Sequence, residues 1–214
     1  MLDLKEILDV NEYLKLLVGL LVIVDPLGNI PVYLGLVDKT TAKEKRQIVI
    51  VGSFAFIAIL ITFTFLGEAI LDFFGIQLGA FQIAGGVLLL LMALEMMRQR
   101  HPIPMSEDEQ QAGKASLGVV PLAVPLLAGP GAISIIIIFS HRHESISHNI
   151  LLSGVILTVG IIIFVSLTLA PRIGAILGPT GRSIVERIMG LMVAAIAIEF
   201  MVDGLVSLFP ALGR

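Results

Sequence analysis

Apolar residues along the chain gather into six long stretches, at 14–37, 47–66, 78–97, 117–139, 150–170 and 188–208, with polar and turn-forming residues between them. Each is about as long as the roughly 20 predominantly apolar residues that a helix needs to cross a bilayer. The pattern predicts six transmembrane helices. Two of the stretches are interrupted near their centres. The first reads VDPLGNIPV over 24–32, and the fourth reads LAGPGAISI over 127–135. Proline removes a backbone donor and pushes its predecessor out of the helical region, so both helices are expected to break there. Inside a membrane, the backbone groups freed by a break survive only against protein or a wet cavity. Paired breaks in corresponding segments of two halves mark the binding site of many secondary transporters.

The two halves correspond elsewhere as well. Gly86, Ala93, Glu95 and Met97 recur 104 positions later as Gly190, Ala197, Glu199 and Met201, and Gly28 and Gly131 stand 103 apart. Gly52-Ser53 against Ser153-Gly154 is a weaker echo. An internal duplication follows, with residues 1–100 as one three-helix repeat, 101–116 as a linker loop holding Glu107, Asp108 and Glu109, and 117–214 as the second. Three spans per repeat is an odd number, so the second repeat enters from the opposite face and the repeats are inverted. Ten of the 14 Lys and Arg residues lie in the first, third and fifth loops. The excess of basic residues in cytoplasmic loops makes the linker cytoplasmic and puts both termini on the periplasmic side.

Composition strengthens the membrane reading and narrows the function. The chain is 57% hydrophobic and 14% charged, with a mean hydropathy of +1.00, far from the balance of a soluble domain. A net charge of −3 supplies no basic surface for nucleic acid. With no cysteine there is neither a disulfide nor a thiolate metal site. Residues 1–12 carry Asp3, Lys5, Glu6, Asp9 and Glu12, which reads as a short surface-lying amphipathic turn and not as a cleavable signal. No nucleotide-binding loop, HExxH or GxSxG occurs, so an enzyme is not expected.

The candidate chemistry sits at the two breaks. A carboxylate at the depth of Asp25 costs about 2.5–3.5 kcal/mol on insertion scales, so it is expected to face a cavity or a partner. Pro26 ends the helix, Gly28 lets it unwind, and Asn29 is expected to cap a helix restarting near Ile30, with Pro31 in its first turn. Gly129, Pro130 and Gly131 repeat the arrangement, with Ser134 one turn into the restarted helix and Ala132 between them. Two helix N-termini then offer N–H groups, around Asn29–Ile30 and Ala132–Ile133, and positive dipole ends to an anion, with Asn29 and Ser134 orienting the ligand, and Asp25 with unwound carbonyls offers a cation site. A small zwitterion presents both charges. The bland alternative is that Pro and Gly only kink packed helices.

Other polar residues fit simpler roles. Glu95 beside Arg98 reads as an interfacial ion pair or snorkelling side chain, whereas Glu199, deeper in its span, is a secondary candidate for a proton or gating route, with Asp203 one turn on. Ala84, Gly85, Gly86, Gly190, Ala194 and Ala197 suit close helix packing. The loop holding His141, Arg142, His143 and His148 reads as solvated, not as a metal centre.

At these residues the chain resembles the MarC family of bacterial inner-membrane proteins. The resemblance rests on DPLGNIPV, on GVVPLAVPLLAGPGAIS over 118–134, on FQIAGGVLLL from Phe81, and on RIMGL and IEF in the last span. It covers nearly the whole chain. Family members resembling this one include carriers of small neutral amino acids such as glycine and alanine. The resemblance therefore implies a bacterial inner-membrane transporter working by alternating access on a small neutral amino acid or related metabolite, without a cofactor. Membrane lipid and that small molecule are the partners expected. A channel-like pore on the same broken helices, or a non-transporting membrane protein with a structural or stress-related role, are the alternatives.

Overall fold

A computed structural model describes residues 10–37, 40–98, 127–142 and 145–213, and every regular element among them is helical. The elements are α1 (Val10–Val24), α2 (Asn29–Leu36), α3 (Ala42–Phe73), α4 (Leu78–Met97), α5 (Pro130–Ser140), α6 (Ile146–Thr168) and α7 (Ala170–Leu208), followed by a 3₁₀ turn, Pro210–Gly213. Four segments are long and apolar enough to cross a membrane: Ala42–Phe73, Leu78–Met97, Ile146–Thr168 and Ser183–Leu208. The first expected span is divided into α1 and α2. The fourth is described only from Leu127 onward, so its first half and the linker at 101–116 lie outside the described residues.

Local sequence explains where the helices begin and end. Thr41 and Glu44 form a reciprocal capping box at the start of α3: the Glu44 carboxylate accepts from the Thr41 N–H at 2.6 Å, and the Thr41 hydroxyl accepts from the Glu44 N–H at 3.3 Å. At the other end, Gly75 takes φ +65°. The Ile76 N–H then reaches back to the Leu71 carbonyl at 2.9 Å, which satisfies an orphan group of the last turn. The loop expected between the fifth and sixth stretches, 171–187, is instead helical and belongs to α7, which is interrupted at Gly178, with φ 60° and ψ −178°. The stretch before it packs across α2, where Gly174 faces Ile30 and Leu34.

Two antiparallel helix pairs form the frame. In the first, α3 meets α6, where Gly160 admits the side chain of Ile57. In the second, α4 lies along α7 with backbones close enough that small residues are obligatory. A Cβ on Gly79 would stand 2.9 Å from the Gly204 carbonyl oxygen, and one on Gly204 would stand 2.6 Å from the Gly79 oxygen. The contact is reciprocal. Gly86 rests on Ala197 and Met201, while Gly190 rests on Ala93 and Met97. Leu89 and Val193, which also stand 104 apart in sequence, are both fully buried at its centre.

The middle of the molecule is occupied by α5. Its residues from Ser134 to Phe139 are all buried, against α1 through Gly19 and Ile135, α3 through Gly67 and Ile137, and α4 through Gly85 and Ser134. Glu12 at the start of α1 bonds Arg142 after α5, Glu68 late in α3 approaches His141, and the end of α7 meets the start of α4. The start of α1 and the end of α7 thus lie on the same side of the bundle.

Candidate functional site

The segment between α1 and α2 is short and nearly closed on itself. Asp25 takes φ +41°, a left-handed conformation unusual for a residue with a side chain. It is buried, with 6% of its surface exposed. Its Oδ1 accepts the Gly28 N–H at 3.0 Å, and its carbonyl accepts the Asn29 N–H at 3.1 Å. Asp25 is therefore the side-chain cap of the restarting helix, with Pro26 in the first-turn position where its missing N–H costs nothing.

The expected role of Asn29 is corrected by this geometry. Asn29 does not cap α2: the residue preceding it, Gly28, carries no side-chain cap bond. Instead, the Asn29 amide Nδ2 donates to the Val24 carbonyl at 2.7 Å. In an unbroken helix that carbonyl would receive the Gly28 N–H, which here goes to Asp25. One side chain satisfies the donor and another satisfies the acceptor that the break separates. The Ile30 N–H bonds the Leu27 carbonyl at 3.2 Å. The amides of Asn29 and Ile30 are thus engaged by the turn, and Pro31 lies inside α2. Close packing also explains Gly28, since a Cβ there would collide with the Asp25 carboxylate.

The second break is simpler. Gly129 is extended (φ −65°, ψ 173°), Pro130 opens α5, and the Ile133 N–H bonds the Gly129 carbonyl at 3.1 Å. Gly131 and Ala132 precede that first bond, so their N–H groups belong to the orphan set of a helix start. Both residues are buried, as is Ser134 at 3% exposure, whereas Pro130 is exposed.

The structure aligns these two interruptions. Helices α1 and α5 run antiparallel: Glu12 pairs with Arg142 at 3.3 Å, Gly19 packs on Ile135, and Gly131 packs on Ile23 and Leu89. Two residues beyond Ile23 is Asp25, and two before Gly131 is Gly129. The breaks therefore fall at one level along the pair, where the negative end of the α1 dipole meets the positive end of α5. The Asp25 carboxylate uses one acceptor position on Gly28 and retains capacity for a second donor. Glu186 on α7 is a further carboxylate close enough to act on Asp25 electrostatically. It is not among the residues that the sequence singles out. The only available signal was the Ser183-x-x-Glu186 spacing, which also describes an ordinary helix start.

The remaining candidates lie elsewhere. Glu199 and Asp203 are exposed on α7, and Glu95 is exposed on α4 without an ion pair to Arg98 among the described residues. His148, expected in a solvated loop, is fully buried in the first turn of α6. Its Nε2 donates to the Phe139 carbonyl at 2.8 Å, and its Nδ1 stands 2.8 Å from the Tyr13 hydroxyl. A half-open cavity lined by Asp72, Gln77 and His141 sits at the α3–α4 turn, away from both breaks. Among the described residues no group of three or more His, Cys, Asp or Glu side chains could hold a metal.

Long apolar helices, buried half-helices and a carboxylate sealed at a backbone break define a multi-pass integral membrane protein of helical type. The chain belongs to the MarC family, whose model, described as MarC family integral membrane protein, matches residues 10–209. It is 36% identical to the UPF0056 membrane protein YhcE of Escherichia coli (strain K12) over 211 residues, covering 95% of this chain and 96% of that one. A UPF0056 membrane protein of Buchnera aphidicola subsp. Acyrthosiphon pisum is 36% identical over 209 residues, covering 96% and 97%. One from Pyrococcus abyssi is 32% identical over 199 residues, covering 93% and 96%. No solved structure matches the chain.

Proposed function

We propose that the protein is a secondary transporter that carries a small neutral amino acid or related metabolite by alternating access across the bacterial inner membrane. The observation that carries this reading is the alignment of the two breaks at one level between antiparallel α1 and α5. A substrate carboxylate would be held at the first turn of α5, by the Gly131 and Ala132 N–H groups with the Ser134 hydroxyl nearby. Its ammonium, or a coupled proton, would meet Asp25 and the carbonyl end of α1. The Asn29 and Ile30 amides, engaged by their own turn, support the site as scaffold and not as anion donors.

In this reading the transport path has two inverted three-helix repeats, six crossings, and both termini on the periplasmic side. The reciprocal packing of Gly86 and Gly190 favours that arrangement, because contacts exchanged between positions 104 apart are what a twofold axis produces. For antiparallel membrane helices, such an axis lies in the membrane plane. No catalytic step or cofactor is required. Exchange of labelled glycine or alanine by vesicles containing the purified protein tests the proposal. Saturable exchange that falls at least about tenfold in Asp25→Asn supports it; absence of exchange for any small neutral amino acid by folded protein removes it.

A further inference from the structure

The seam between α1 and α5 is apolar through most of its length and polar only at one rim. Leu16, Leu20, Ile23, Ile135 and Ile136 are each exposed by no more than 2%, so among the described residues the seam itself is closed between the breaks and the side on which α1 begins. Apolar surfaces of this kind can part without stranding hydrogen-bonding groups. At the rim two polar links cross the seam. The Tyr13 hydroxyl of α1 meets His148 Nδ1 of α6 at 2.8 Å, and His148 Nε2 donates to the Phe139 carbonyl of α5 at 2.8 Å. A carbonyl only accepts, which fixes the proton on Nε2 and leaves Nδ1 to accept from Tyr13 in the neutral ring. Beside this chain, Glu12 of α1 pairs with Arg142 at 3.3 Å, and the Arg142 guanidinium lies 4.1 Å from the centre of the Phe139 ring.

We infer that the Tyr13–His148 bond and the Glu12–Arg142 pair form the gate that closes the break-lined site from the side on which α1 begins. The inference rests on the transport reading of the breaks and names the contacts that must separate when the site opens to that side. Both links join α1 to the α5–α6 corner, so they resist the parting of α1 from α5 that would open the seam toward the breaks. The Arg142 side chain is 44% exposed, and water can replace Glu12 there at small cost. That is a contact suited to repeated opening. The His148–Phe139 bond, by contrast, lies wholly within the corner and serves as its fixed anchor.

The chain has no cysteine, so a single Ser134→Cys reports opening without background. A membrane-impermeant maleimide applied from the side on which α1 begins is expected to label it slowly. Glu12→Arg, Arg142→Glu or Tyr13→Phe, each added singly, should raise the rate by about fivefold to tenfold. Combining Glu12→Arg with Arg142→Glu should restore slow labelling, because the pair is rebuilt with its charges exchanged. Unchanged labelling in the single variants would overturn the gate. So would a charge-exchanged double variant that labels as fast as the singles, since that pattern reports general loosening. Labelling does not require transport: a responsive gate in vesicles that exchange no small amino acid removes the transport reading alone.

Discussion

Asp25 combines two demands at one position. As the cap of α2 it needs an oxygen that can accept from the Gly28 N–H, and in the proposed role of ligand for an ammonium or proton it needs a negative charge. Asparagine keeps the first and loses the second. Asp25→Asn is therefore expected to melt in detergent close to the parent while losing exchange. Asp25→Ala removes the cap as well, worth about 0.5–2 kcal/mol, and should melt roughly 2–4 °C lower for each kcal/mol lost. Equal melting of the two variants would contradict the capping role. Gly28→Ala forces a methyl group into the Asp25 carboxylate and should disturb the turn and exchange together. Glu199 is exposed and its equivalent Glu95 likewise, so Glu199→Gln should leave melting within about 1 °C of the parent. Part of this was legible in the sequence: the Asp25-Pro26 pair marks where the first helix stops, although the cap was expected at Asn29 and falls to Asp25. The Asn29 back-bond to Val24 was not legible, because it exists only once the break has stranded that carbonyl.

At the scale of the helices, the spacing of small residues carries the information. The 104-residue offset joining Gly86 to Gly190 and Ala93 to Ala197 was visible in sequence, but not that Gly86 would rest on Ala197 and Met201, and Gly190 on Ala93 and Met97. Contact between distant segments needs the third dimension. The two glycines differ in tightness: a Cβ on Gly86 stands 2.7 Å from the Ala197 carbonyl oxygen, against 3.1 Å from Ala93 for Gly190. Backbone cannot yield as a side-chain tip does, so Gly86→Ala should cost about 1–3 kcal/mol and Gly190→Ala distinctly less. Thermal unfolding of the two variants in the same detergent checks the order, and the reverse order would show that α4 and α7 pack differently. His148 shows the opposite failure of pattern. A histidine between Ser and Asn reads as loop, yet α6 begins at Ile146 and turns it inward to the carbonyl end of α5.

For the molecule as a whole, the number of long apolar stretches was plain from hydropathy, and four of them stand as uninterrupted spanning segments. The remaining two expected spans are the broken ones, where apolar length alone cannot say how far each half-helix runs. The start of α1 and the end of α7 share one side, and the orientation proposed from the basic loops makes that side the periplasmic one. Tags placed at residues 1 and 214 should both be reached by antibody only after the outer membrane is opened, and detection of either solely after lysis of the inner membrane would reverse the orientation.

Ligand protection at the two breaks bears most directly on the account. With Asn29→Cys and Ser134→Cys as separate single reporters in the cysteine-free chain, glycine or alanine should slow maleimide labelling at both positions with the same concentration dependence. Protection at neither position, or at one alone, would contradict a shared site between the two interrupted helices.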